Sequence, residues 1–220
     1  MQRYVPGLFF LLFCTGQAAN RPDIVQQGFS SDARYHLLLT SFIQDGSGFP
    51  SAVLQITDVQ RNTTVYRQSR TWKDAAAGST LQMLVTAWRT EQTKILAKFH
   101  LSSPVAGEQL FNRSALPPQR YPDNVLVSQP TRVGLLTLIP LTLHSTCGYS
   151  DLPARGVLLK LGSRELQHDN RLPASRTCAT GYTLETAWEY RKSLVIIVRA
   201  YSQGFEGPDA SPLVITTHLK

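Results

Sequence analysis

Long apolar runs that flank short connections rich in glycine and proline are the feature that most constrains the fold of this chain. Near the carboxyl end, SLVIIVRAYS is followed by QGFEGPD and then by ASPLVITTHL. Nearer the amino end, RYHLLLTSF is followed by QDGSGFP and then by AVLQITDV, which alternates in polarity. Two such runs around a Gly-rich turn predict a β-hairpin. We therefore expect a mainly β protein built from antiparallel hairpins.

One segment departs from this β pattern. From Ser79 onward, apolar residues recur every three or four positions, which places them on one face of a helix. Ser79 followed by Gln82 matches a capping box and predicts where the helix begins. We expect the apolar face to pack on a sheet, with membrane binding by the same face as the alternative. The face consists of Leu81, Leu84, Val85, Trp88, Ile95, Leu96 and Phe99.

The fold class that follows is mainly β with one amphipathic α-helix, and its antiparallel hairpins form a sandwich-like domain over residues 20–220. A proline-rich connector, 101–123, separates a front hairpin plus helix (28–100) from a back β part (124–220). In the back part, RVGLLTLIPLTLHS leads through TCGYSDLPAR into GVLLKLGS, a further predicted hairpin in which Pro140 requires a sheet edge or a bulge. The segment 164–190 is predicted to be mostly loop, with one short strand or helical turn.

Residues 1–19 have the composition of a secretory signal peptide. Arg3 supplies a basic start, VPGLFFLLFC is an apolar core too short to cross a membrane, and TGQAA offers the small residues of a cleavage site. We expect cleavage near Ala18 or Ala19 and a periplasmic or secreted mature chain with no transmembrane span. The alternatives are a buried strand, an uncleaved anchor, or a lipoprotein signal at Cys14, which the bulky Phe13 before it disfavours.

Cys147 and Cys178 remain once Cys14 has left with the signal peptide. In an oxidising compartment two such cysteines usually form a disulfide. The alternatives are a zinc site that adds His144 and His168, or a cysteine nucleophile with a histidine base. His168 and Cys178 are not spaced as a zinc knuckle, and oxidation of the cysteines would abolish the site. We therefore expect the disulfide, no metal and no cofactor.

The net charge of +7 favours anionic partners, and its densest cluster is Arg61, Arg67, Arg70 and Lys73. Lipopolysaccharide and acidic glycans suit this charge. We expect no nucleic-acid partner, because the chain is exported and no aromatic ladder accompanies the cluster. The alternative is that the charge serves solubility alone.

Sequence motifs for common enzyme chemistry are absent. The chain contains neither the G-x-S-x-G motif of α/β-hydrolases nor a Gly-rich phosphate-binding loop. We therefore expect a non-enzymatic binding or envelope-associated module. The sequence does not identify its partner, and the candidate classes are envelope polymers and other periplasmic proteins. The alternative is a periplasmic hydrolase that acts on envelope polymers.

The hairpin loops carry the candidate binding residues. In QGFEGPD the glycines, the proline and Asp209 are explained by turn geometry, whereas Phe205 and Glu206 are not. There are two alternatives to a binding role for this loop. Phe205 fills the end of the sandwich, or Glu206 and Asp209 form a weak calcium site. With Asp45 of QDGSGFP, the candidate set is Asp45, Phe205, Glu206 and Asp209.

GFSSDARY, QDGSGFP, AVLQITDV and GFEGPD together resemble an uncharacterised family of predicted secreted bacterial proteins, known only as a domain of unknown function. The resemblance covers essentially the whole mature chain. It implies export from a bacterial cell and one shared fold, and it supplies no catalytic residue, substrate or partner. The chain departs from the usual SPDG form at Ala33.

Overall fold

The computed structural model describes residues 19–113, 115–117, 119–143, 147, 152–204 and 207–219. Within these ranges the chain forms twelve β-strands and two α-helices, and Ala174–Arg176 form a short 3-10 helix. The strands pair in an antiparallel manner into three sheets of four strands each. The mainly β fold class expected from the sequence is therefore confirmed.

Sheet A consists of the first four strands in chain order, each joined to the next by a hairpin. They are β1 (Asp23–Phe29), β2 (Tyr35–Ile43), β3 (Pro50–Asp58) and β4 (Thr63–Thr71). The hairpin predicted around QDGSGFP is the β2–β3 pair. GFSSDARY holds the turn between β1 and β2, where Ala33 has a φ of 61° and so occupies a left-handed conformation that favours glycine.

The other strands of the described chain are β5 (Glu108–Asn112), β6 (Val127–Thr131), β7 (Gly134–Thr142), β8 (Arg155–Leu161), β9 (Arg164–His168), β10 (Ala179–Tyr190), β11 (Ser193–Gln203) and β12 (Pro208–His218). Sheet B has the order β12-β11-β10-β5, and sheet C has the order β6-β7-β8-β9. The two predicted hairpins of the back part are β7–β8 and β11–β12, and both form.

Sheet B lies between the other two sheets. Val195 and Ile197 of β11 pack towards sheet A, in a cluster with Phe29 and Leu38. The intervening residues of β11 pack towards sheet C, in a larger cluster with β7 and β8. Because both faces of β11 are buried, its apolar run is continuous rather than alternating. The predicted sandwich is thus a stack of three sheets.

The helical segment covers the remaining face of sheet A, as predicted. Val85, Trp88 and Leu96 are buried against Leu39 and Leu54 of the sheet. Trp88 meets Trp72 edge to face, with 6.2 Å between the ring centroids. The apolar face therefore packs on the protein's own sheet.

Two details of the helical segment differ from the prediction. The N-cap is Thr80 rather than Ser79, and its hydroxyl accepts a hydrogen bond from the N–H of Met83 at 3.2 Å. The segment is also two helices, α1 (Leu81–Glu91) and α2 (Thr93–Lys98). They divide at Gln92, whose ψ of 5° is not helical and whose buried side chain accepts a hydrogen bond from the Tyr66 hydroxyl at 3.1 Å.

The prediction that 164–190 is mostly loop is wrong. The segment contains β9 and all of β10, which pairs with β11 on one edge and β5 on the other. The sequence pattern does not indicate β10, because Thr183, Glu185 and Thr186 interrupt its apolar residues. Thr186 is buried and donates a hydrogen bond to the Phe111 carbonyl at 2.8 Å, so the polar position is satisfied inside the structure.

Pro140 sits where the sheet offers it a local edge. It lies on β7 opposite Val157 of β8. On the other side, the pairing of β7 with β6 ends at Leu138, so no β6 residue is paired opposite Pro140. The missing N–H of proline therefore breaks no ladder bond there, as the sequence predicted.

We expect Trp88→Ala to lower the free energy of unfolding by about 3–5 kcal/mol, because the ring is fully buried between helix and sheet. Met83 of the same helix is 61% exposed and serves as the control. Met83→Ala should stay within about 0.5 kcal/mol of the wild type. Urea denaturation measures both variants. A Trp88 variant as stable as the Met83 variant would mean that the helix does not pack on sheet A.

His36 of β2 is a buried titratable side chain. Its Nε2 lies 3.1 Å from Oε1 of Gln27, and its Nδ1 has no hydrogen-bond partner within the described structure. The ring contacts Phe29 edge to face at 5.1 Å. Burial lowers the pKa of His36 from 6.5 to about 3, because a charged imidazolium would lose its hydration there.

The His36 pKa predicts a loss of stability in acid. Above pH 6.5 the His36 ring is neutral in both the folded and the unfolded chain. Between pH 6.5 and the folded-state pKa of about 3, only the unfolded chain binds the proton, so acid favours unfolding. Lowering the pH from 7 to 4 should therefore cost about 3 kcal/mol through this group. Urea denaturation at the two pH values should show a smaller difference for His36→Gln. Equal differences would contradict the prediction.

Candidate functional site

Three adjoining cavities lie beside β12 of sheet B. Two of them are also lined by β3 and β4 of sheet A, and the third is lined by residues 174–179 and by β11. Their volumes are about 180, 100 and 340 Å³, and Ser211 of β12 lines all three. We call this depression the Ser211 groove. Its polar lining comes from distant parts of the chain and includes Gln55, Thr64, Arg67, Ser175, Arg176 and Ser211.

Arg67 is the cation of the sheet A wall. It lies on β4 directly opposite Gln55 of β3, and its Nη1 donates a hydrogen bond to the Gln55 Oε1 at 2.9 Å. Gln55 is itself buried, and its amide donates to the Thr57 hydroxyl at 3.3 Å. No carboxylate of the described chain forms an ion pair with Arg67. The guanidinium is thus oriented at the groove while its charge is left uncompensated.

Arg176 forms the opposite wall, at the end of the 3-10 helix. Its Nη1 and Nη2 donate to the two carboxylate oxygens of Asp169 at 2.7 and 3.1 Å. The same Nη1 donates to the Tyr182 hydroxyl at 2.8 Å, and that hydroxyl donates to the Arg155 carbonyl at 3.0 Å. This network anchors the loop between β9 and β10 to sheets B and C.

The charge state of this network follows from its hydrogen bonds. Burial by itself would raise the pKa of Asp169, but hydrogen bonds from Arg176, Gln167 and the Val157 N–H outweigh it and lower the pKa below its usual range. Burial raises the pKa of Tyr182, which therefore stays a neutral phenol. At neutral pH Asp169 is consequently an anion bound to Arg176.

The disulfide expected from the sequence borders the groove. Cys147 and Cys178 are bonded, with 5.2 Å between their Cα atoms. The bond joins the β7–β8 connection to the residue before β10, and Cys178 lines the cavity beside Arg176. Bonded cysteines serve neither as zinc ligands nor as nucleophiles, so both alternatives at these positions are excluded.

We expect the exported protein to be two hydrogens lighter without reduction than after it, by intact mass. The bond closes a loop with a sequence separation of 31, so reduction should cost about 3–4 kcal/mol in the chain-entropy account. Denaturation with and without reductant measures this cost. Two thiols that react with alkylating agent in freshly purified protein would contradict the bond.

The candidate residues Asp45 and Asp209 are brought together by Asn20. The Asn20 N–H donates to Oδ1 of Asp209 at 2.6 Å, and the Asn20 Oδ1 accepts from the N–H of Asp45 at 3.0 Å. Asp209 thus bonds a residue 189 positions away in the sequence. Phe205 and Glu206 lie outside the described residues. The two alternatives for this loop, a Phe205 side chain that fills the end of the sandwich and a calcium site, therefore stay untested. A binding role for these four residues stays a prediction.

Gly204 has a packing role in the same loop. Its φ lies outside the left-handed region, but a Cβ there would come within 2.4 Å of the Gly207 carbonyl oxygen and 2.9 Å of the Asp209 Oδ1. Glycine is therefore required at position 204 because a larger side chain would not fit, and not because the backbone has a positive φ there.

Four aromatic side chains that could stack on sugars are buried or partly buried. Trp188 and Tyr182 are buried, and Trp72 and Tyr190 are partly buried in apolar clusters. A carbohydrate ligand would therefore have to be held through polar groups, without a stacking platform made by these four side chains.

A second, wider cavity of about 700 Å³ contains two carboxylates near sheet B. Glu108 and Glu189 both form ion pairs with Arg132, the former at 2.8 Å. Glu189 also accepts from the Lys192 N–H at 3.0 Å. Because one guanidinium holds both carboxylates, neither is placed as a general acid or base.

The basic cluster of the sequence is divided by the strand that carries it. Arg67 faces the groove, whereas Arg70 lies on the other face of β4 and forms an ion pair with Glu91 of α1 at 3.5 Å. In the described part of the chain, no three His, Cys, Asp or Glu side chains are grouped as metal ligands would be. His144 of the zinc alternative lies outside it.

The disulfide between Cys147 and Cys178 is typical of proteins that fold in an oxidising compartment. The chain belongs to a family described as predicted secreted protein, DUF2259, which matches over residues 38–218. The family resemblance and the export expected from the sequence are thereby confirmed. No curated protein and no solved structure matches the chain.

None of the helices in the described ranges is long and apolar enough to cross a membrane.

Sequence reasoning missed most of the groove. Arg67 was part of the basic cluster, but Gln55, Arg176 and Ser211 carry no motif. The one local signal was the alternation of AVLQITDV, which put Gln55 on one face of β3.

Proposed function

We propose that the protein is a non-enzymatic binding module of the cell envelope that holds an anionic polymer segment in the Ser211 groove. The observation that carries this proposal is the uncompensated Arg67, oriented by Gln55 at the groove wall. A guanidinium in a fixed orientation suits bidentate bonding to a phosphate or carboxylate.

The lining of the groove supports an anionic, hydroxyl-bearing ligand. Thr64, Ser175 and Ser211 add hydroxyl groups beside the two arginines. No described Asp or Glu side chain lines the groove, so none of the described carboxylates opposes an anion at its lining. A phosphate- or carboxylate-bearing glycan of the envelope, such as lipopolysaccharide, has this chemistry.

The alternative of a hydrolase acting on envelope polymers finds less support. Glycoside hydrolysis ordinarily requires two carboxylates on either side of the scissile bond. The described groove lining contains none, and the two in the wider cavity are bound to Arg132. Binding without catalysis therefore accounts for the arrangement better.

Arg67→Ala should weaken binding to lipopolysaccharide about tenfold or more, the loss expected for one charge-assisted hydrogen bond. Arg70→Ala is the matched control, because it removes the same charge from the same strand on the opposite face. It should change the affinity less than about threefold. Titration calorimetry or surface binding at two salt concentrations measures both, with neutral dextran as the negative probe. Equal weakening by the two variants, or binding to neither polymer, would reject the proposal.

A further inference from the structure

Residues 19–22 form a strap across the ends of two hairpins. The Asn20 carbonyl accepts from the Ala210 N–H at 2.9 Å, and the Arg21 Nε donates to the Pro208 carbonyl at 3.1 Å. The Pro22 carbonyl accepts from Nη1 of the buried Arg199 at 2.5 Å. The strap therefore bonds to β12 and to the centre of sheet B, and it is part of the folded structure.

The backbone nitrogen of Asn20 contacts the carboxylate of Asp209. It is 2.6 Å from Oδ1 of Asp209, a separation shorter than the usual range for a neutral N–H donor. Asp45 contacts the same asparagine through its N–H, and its Oδ1 is buried with no hydrogen-bond partner among the described atoms. The Arg21 guanidinium attracts Asp209 electrostatically from the next position of the strap. The shorter of the two contacts between Asn20 and Asp209 is thus made by an uncharged peptide N–H.

We propose that the mature chain begins at Asn20 and that Asp209 and Asp45 form the binding site for its α-ammonium group. An endopeptidase of the export machinery hydrolyses the Ala19–Asn20 amide bond, and water supplies the hydroxyl to the Ala19 carboxyl group and the proton to the Asn20 amine. The nitrogen changes from one neutral donor to a cation with three donors. It can then compensate the charge of Asp209 and supply a partner to Asp45.

The same geometry distinguishes this bond from the neighbouring one. TGQAA places an alanine before either candidate bond, Ala18–Ala19 or Ala19–Asn20. Cleavage after Ala18 would leave the Asn20 nitrogen as a neutral peptide N–H. Cleavage after Ala19 places the new charge at the atom that already contacts Asp209.

The site also determines the order of events. Ala19 is only 9% exposed, and Asn20 is hydrogen-bonded through its N–H, its carbonyl and its side chain. A peptidase needs the scissile bond accessible and extended, so cleavage precedes docking of the strap. Docking then completes the folding of an exported chain whose signal peptide has been removed.

The first test is the amino terminus of the protein exported from its full-length chain. Intact mass and N-terminal sequencing should both give Asn20 as the first residue. Any other start would overturn the proposal, including a chain that begins at Ala19.

The second test asks whether the α-ammonium is bound. A chain that begins at Asn20 and a chain that begins at Ala19 are released from a cleavable fusion and melted side by side. The Ala19 chain should melt about 3–8 °C lower, the shift expected for losing a charge-assisted contact in a protein of this size. Equal melting temperatures would overturn the proposal.

Variants make the second test specific. Asp209→Asn should lower the melting temperature of the Asn20 chain and leave that of the Ala19 chain nearly unchanged. If the Asp209→Asn variant does not fold, Asp45→Asn is tested in its place, with the same expected result. Asp23→Asn, at an exposed carboxylate beside the strap, should affect both chains equally and little. An Asp209 or Asp45 substitution that destabilises both chains to the same extent would mean that these residues only shape their loops.

Discussion

The whole structure depends on a central sheet that is buried on both faces. In β11 every residue from Ser193 to Tyr201 is buried. A strand shielded in this way removes apolar surface from water on two sides, at about 25 cal/mol per Å². Sheets A and C need only one apolar face each to pack against it, and sheet A presents its second apolar face to the helices. The layer order therefore follows from the composition of sheet B.

Arg199 is the one charge inside that buried run. It forms a two-pronged ion pair with Glu185 at 2.6 and 2.8 Å and donates to the carbonyls of Pro22 and Ala210. A buried guanidinium is tolerated only when its donors are satisfied, because desolvation otherwise outweighs the attraction of its partner. The start of the described chain is therefore required to complete the core, and it is not a loose end.

The outer edge of β12 connects the strap with the groove. The Asn20 carbonyl bonds the Ala210 N–H at one end of the strand, and the Asn62 side chain bonds the Thr216 N–H at the other. Pro212 between them has no N–H to offer. These three features protect an edge strand from pairing with another chain, and they leave Ser211 at the surface as a wall of the groove. A ligand there would meet side chains rather than an open sheet edge.

Local chemistry made the hairpins, the helical face and the disulfide predictable, because turn residues, periodicity and cysteine parity act over short stretches of chain. β10 escaped prediction because Thr186 is polar and buried, and only its bond to the β5 backbone shows why a strand tolerates it. Arg67 and Arg70 look equivalent in the sequence, yet the two-residue period of β4 places them on opposite faces. The sequence by itself determined an exported, disulfide-bonded protein of antiparallel hairpins. Only the tertiary structure decided the order of the layers and the lining of the groove, because both depend on which distant sheet covers each face.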